Sequence, residues 1–172
     1  MALIKSILDW TPKIHKTAWL AENATITGQV EIGESSSIWF QSVIRGDVNK
    51  IIIGDRVNVQ DAAIIHGTHG RNDTIIGNDV SIGHRAIVHG CKVEDEVLIG
   101  MGAIVLDDAV LESGCIVAAG AVVTQGMILE SGWIYAGIPA KKIKRINKTQ
   151  ADLYLKGTAA NYVKYSRIYK GE

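Results

Sequence analysis

Residues 76–105 read IGNDVSIGHRAIVHGCKVEDEVLIGMGAIV. Within them Ile76, Ile82 and Val88, then Val93, Ile99 and Val105, place an aliphatic side chain at every sixth position, with one interval of five. Working upstream, the same beat appears at Ile14, Leu20, Ile26, Ile32, Ile38 and Ile44, and again at Ile53, Val59 and Ile65. Downstream it continues through Leu111, Val117, Val123 and Leu129. Gly often follows the aliphatic residue, as at Gly33, Gly54, Gly77, Gly83 and Gly100, and small residues recur four places after it, as at Ala63, Ala86, Ala103 and Ala121. Six residues hold one short strand and one corner, and nothing larger. Three such units close a triangular coil of about 18 residues, and coils stack at roughly 4.8 Å like strands of a sheet. The expectation is a parallel β-helix of hexapeptide repeats, about six to seven coils high, with the aliphatic residues stacked inside.

Counting hexads in threes sorts the inward residues into three columns, starting at Ile14, Leu20 and Ile26. The departures from six then fall at one corner: loops at Val48–Ile52 and Gly67–Ile75, and a deletion of one residue near Lys92. A solenoid tolerates insertions along one edge. After residue 146 the beat stops, so residues 1–146 form the β-helix and 147–172 a helix packed on it, in one structural domain. Ala151, Leu155, Ala159, Tyr162 and Tyr165 have helical spacing, Thr149 with Asp152 resembles a capping box, and Gly157 should interrupt or weaken the helix.

The chain carries 18 basic and 18 acidic residues for a net charge of +0, which asks for neither nucleic acid nor an anionic membrane. It has no apolar run long enough to span a bilayer and no secretory pattern at its start. Its two cysteines, Cys91 and Cys115, read as free buried thiols of a cytoplasmic protein.

The histidines are the chemical signal. His66 and His89 each follow the inward residue of a third-column hexad, one coil apart, so they point the same way about 5 Å apart. Arg45 holds the same place one coil earlier. His84 lies on the second-column face, where only a neighbouring chain can bring it to the other two. Prisms packed around a threefold axis would do so, giving a homotrimer with three imidazoles around one cation. Three His with an open fourth position suit Zn2+, with Fe2+ or Co2+ as alternatives, and such a cation lowers the pKa of a bound water to about 7. His15, in the first coil, and His69, in a corner loop, fall outside this set.

Arg45-Gly46-Asp47, Asn58-x-Gln60-Asp61 with His66 five residues on, His84-x4-His89 and Gly137-x-Pro139-Ala140-Lys141 together resemble the γ-class carbonic anhydrase family over nearly the whole chain. The resemblance implies a left-handed β-helix and reversible hydration of CO2 to bicarbonate by a metal-bound hydroxide. It implies that His66 and His89 come from one subunit and His84 from the next. It also implies that Gln60 orients the hydroxide, that Arg45 and Asp61 pair across the interface with Asp47 helping to hold it, and that Asn58 and Tyr135 lie near the substrate. The best-studied branch of that family has a Glu after the Arg-Gly-Asp and a long acidic loop with a Glu proton shuttle. Here Val48 follows Asp47, and the loop after Gly67 has one acid, Asp73. That difference implies slow hydration. Two other functions fit the same repeat: an acyl-CoA thioesterase or acyltransferase, and a non-catalytic assembly subunit.

Overall fold

The computed structural model describes residues 1–172. It is a parallel β-solenoid closed by a C-terminal helix. Seven rungs stack on the second-column face, from Trp19–Leu20 through Ser37–Ile38, Asn58–Val59, Ser81–Ile82, Leu98–Ile99 and Ile116–Val117 to Trp133–Ala136. The other two columns share one sheet, because Thr25–Ile32 and Val43–Ile53 run through their common corner without a break. The inward ladder is as the period requires. Ile26, Ile44, Ile65, Val88, Val105 and Val123 stack in one column, and each is fully shielded from solvent. Ala24, Ser42, Ala63, Ala86, Ala103 and Ala121 line the corner beside it and are equally buried. A larger side chain there would collide with the coil above, since interiors have native crystal density.

Two sequence expectations change in detail. Val48–Ile52 is not a loop: it lies inside the strand Val43–Ile53. The extra residues are taken up by a register jump, with Gly46 opposite Gly28 and Ile51 opposite Val30. The β-branched Val48, Ile51 and Ile52 favour strand over loop, and a bulge absorbs the surplus. The second insertion is a true loop, spanning residues 67–73 before the strand Thr74–Ile76. One corner is shortened instead, at Gly90 and Cys91.

The solenoid ends by reversing direction. Lys141–Arg145 returns antiparallel on Trp133–Ala136, with Lys142 and Arg145 over the Trp133 ring. The helix then starts at Asn147 rather than Thr149. Asn147 accepts from the Gln150 amide at 2.9 Å while the Gln150 side chain accepts from the Asn147 amide at 3.2 Å, a reciprocal cap. Gly157 does not interrupt the helix, which widens to a π-turn over Ala151–Gly157 and continues as Thr158–Lys170. Leu155, Ala159 and Ser166 are its buried positions. Tyr162 meets Trp39 at 5.1 Å and Tyr169 meets Trp19 at 5.1 Å, so an aromatic cluster fastens the helix to the second-column face of the early coils. Lys170 donates to the Thr17 carbonyl at 2.6 Å, anchoring the far end. No helix is long and apolar enough to cross a membrane.

Candidate metal centre

His66 ends the strand Ile64–His66 and His89 ends Ile87–His89, and the two residues are register partners. Their inward neighbours Ile65 and Val88 are pinned in the core, so both imidazoles project from the third-column face. Nδ1 of His66 lies 3.2 Å from Nε2 of His89. Two nitrogens bound at 2.0–2.1 Å on a tetrahedral cation sit ~3.3 Å apart, so this pair has the bite a zinc-like ion needs. A cationic group is already drawn to the place: an Arg45 guanidinium nitrogen lies 3.4 Å from Nδ1 of His66.

Each histidine of the predicted set has its second nitrogen on a carboxylate. Nε2 of His66 lies 2.9 Å from Asp47, Nδ1 of His89 lies 3.0 Å from Asp107, and Nδ1 of His84 lies 2.7 Å from Asp61. Carboxylates so placed fix the tautomer and ring direction of a ligand and raise its basicity. Arg45 bonds the other oxygen of Asp47. Desolvation by burial opposes ionisation of Asp47, but the hydrogen bonds from His66 and Arg45 outweigh it and hold this carboxyl below its ordinary pKa.

His84 stands on the second-column face, and no three His, Cys, Asp or Glu side chains of one chain converge on a point. Within the chain Arg45 pairs with Asp47 and Asp61 with His84, not with each other. Gln60 shares the face of His84 and is nearly buried, and its Nε2 donates to Asn58 Oδ1 at 2.9 Å. Asn58 is fully buried and donates to Ser81 at 2.8 Å, so it links Gln60 to the next coil. Tyr135 lies inside the coil rather than on the face of His84. It fills the inward position stacked on Val117, and its hydroxyl accepts from the Glu130 amide at 2.8 Å. At 2% exposure it is a core residue. His15 bonds Thr17 in the first coil, Asp73 accepts from the Lys50 amide, and His69 is exposed in its loop.

The two faces that carry the ligands are apolar beside them. The third-column face shows Ile64, Ile87, Ile104 and Val122 in a line. On the second-column face a groove of about 470 Å³, walled by Leu98, Met101, Ile116, Ile134 and Tyr154, opens at Gln60 and His84.

Residues 90–125 match the bacterial transferase hexapeptide family (six repeats). A carbonic anhydrase of Geobacillus kaustophilus is 40% identical over 161 residues, 93% of this chain and 87% of that protein. The mitochondrial γ carbonic anhydrase 2 of Arabidopsis thaliana is 37% identical over 98% of this chain, which spans 62% of that protein's length. The chain belongs to the γ-class carbonic anhydrase family. The crystal structure of a Bacillus cereus protein proposed to be an acetyltransferase superposes with a TM-score of 0.95 at 40% identity, covering 98% of this chain and 97% of that one. One carboxylate of this γ-class chain lies outside every motif quoted for the resemblance: Asp107 is on the coil after His89 and has no place in the histidine spacing. Only the stacking of coils brings it to that imidazole.

Proposed function

We propose that this protein is a metal-dependent hydro-lyase that interconverts CO2 and bicarbonate in a homotrimer. The observation that carries the reading is the pair of imidazole nitrogens 3.2 Å apart on one face, with a third carboxylate-backed imidazole on another. His66 and His89 of one subunit and His84 of the next would hold the cation, Zn2+ by ligand type, with Fe2+ or Co2+ compatible with the same donors. When bound, such a cation supplies Lewis-acid activation of water near neutral pH. Gln60, held by Asn58, orients the attacking water by a hydrogen bond. CO2 gains that oxygen, and one proton leaves to solvent. The apolar line Ile64, Ile87, Ile104 and Val122 fits the groove beside His84 on the neighbouring copy, and burying both faces drives the assembly. In that assembly Arg45 turns from Asp47 to the neighbour's Asp61.

The test is subunit complementation. His84→Ala and His66→Ala should each abolish metal binding in the pure homotrimer. Subunits of the two variants, mixed 1:1 and reassembled, should regain about a quarter of the wild-type sites, because one in four ring interfaces pairs an intact His66–His89 face with an intact His84. No recovery, or full binding by His84→Ala alone, overturns the shared site.

A second reading keeps the same centre and changes the electrophile to a thioester. The apolar groove ending at His84, and the acetyltransferase reading attached to the Bacillus cereus relative, favour it. Turnover of short acyl-CoA esters without CO2 hydration by the metal-loaded trimer would select this reading over the first.

A further inference from the structure

We infer that Asp107 is a positioning residue for the metal centre, and that it ties His89 to the loop of residues 67–73. The inference rests on the shared metal site proposed above and adds a residue to it. Asp107 divides its two oxygens. Oδ1 lies 3.0 Å from Nδ1 of His89, and Oδ2 accepts from the Thr68 hydroxyl at 3.2 Å. With its proton held on Nδ1, His89 turns the lone pair of Nε2 toward His66, which is the direction a shared cation requires.

The backbone is shaped to let this carboxylate in. Gly90 has φ +53°, and a Cβ there would lie 2.0 Å from Asp107 Oδ1. The Gly90 amide donates to the His66 carbonyl at 3.0 Å, and the Gly90 carbonyl accepts from the Asp108 amide at 2.8 Å. This one glycine therefore joins the strand of His66, the strand of His89 and the coil of Asp107. The loop that carries Thr68 is fixed at both ends. The Asn49 side-chain Nδ2 donates to the Thr68 carbonyl at 2.6 Å, while the Arg71 and Asn72 side chains donate to Asp108 at 2.8 and 2.7 Å. Asp47 supports His66 but gives its other oxygen to Arg45. Only Asp107 connects a ligand to the loop that follows the first ligand strand.

The experiment measures Zn2+ affinity of the full-length assembled protein by chelator competition, and the visible spectrum of the Co2+ form. Asp107→Ala should weaken Zn2+ binding ~10–100-fold, and the isosteric Asp107→Asn should weaken it less while still shifting the Co2+ spectrum. Thr68→Val should leave affinity near wild type but speed amide hydrogen exchange in residues 67–73. His89→Ala marks complete loss of the site. Wild-type affinity and spectrum in folded Asp107→Asn and Asp107→Ala overturn the role of Asp107, as does loss of affinity in Thr68→Val equal to that in Asp107→Ala. Should wild type and His89→Ala bind Zn2+ equally poorly, the metal centre itself fails and the inference goes with it.

Discussion

Gly90→Ala isolates the packing between Asp107 and His89 from the chemistry of either side chain. Two costs add. Holding an alanine at φ +53° in the left-handed region costs about 1–2 kcal/mol. The new methyl, built 2.0 Å from Asp107 Oδ1, must expel that oxygen from its place against His89. The side chains of His89 and Asp107 are only 26% and 18% exposed, so water replaces the lost bond poorly. A charge-assisted hydrogen bond of this kind contributes about 1.5–3 kcal/mol. The sum is roughly 2.5–5 kcal/mol, and at about 2–4 °C per kcal/mol for a chain of this size the midpoint should fall by roughly 5–20 °C. Gly90→Asn separates the terms, because Asn tolerates the left-handed region far better but brings the same Cβ. Scanning calorimetry of the metal-free proteins reads the stability, and chelator competition reads the site. Both variants should lose Zn2+ affinity, while Gly90→Asn should recover part of the stability lost in Gly90→Ala. If Gly90→Ala melts within about 1 °C of wild type with unchanged affinity, the crowding argument is wrong.

Three further outcomes are expected. Ile82→Ala empties a fully buried position between Val59 and Ile99, in the strand that leads to His84, and should cost about 2–5 kcal/mol in chemical denaturation. CO2 hydration should be limited by proton release and should rise with added imidazole, and His69→Ala should lower turnover most at low buffer, since His69 is an exposed imidazole three residues from His66; equal, buffer-independent rates in both proteins would remove His69 from consideration. Burial pushes the thiols of Cys91 and Cys115 up to about 12, so at pH 8 about one in ten thousand is thiolate and both should resist thiol reagents until the protein unfolds; rapid labelling of the native protein would contradict their place in the coil.

The six-residue beat made the core legible because each inward position is fixed by its own coil, with no need to know any distant contact. It also reaches further than the motif resemblance did. Continuing the second column past Val117 by one coil lands on Tyr135, and the period alone assigns it inward, where the structure has it. The resemblance drew that residue out toward substrate. A spacing rule rooted in stacking outranks a motif position when the two conflict. Local chemistry was less decisive where two patterns overlap. Asn147 with Gln150 and Thr149 with Asp152 both spell a cap, and the earlier one wins because the Ile146 amide is already bound to the Gly132 carbonyl, which fixes where the hairpin ends and the helix must begin. The metal pair was readable for the same reason as the core: His66 and His89 each sit one place past an inward residue in one column. Asp107 was not, because its approach to His89 depends on the shortened corner at Gly90 and Cys91. Periodicity counts a missing residue there but does not say which way the chain tightens. The parts of the site that sequence hides are therefore those built across an irregular corner, and in this fold the irregular corners all lie along the edge beside the paired histidines. Insertions along that edge can change the surroundings of the metal, the loop and its acid or histidine content, while the stacked interior stays as it is.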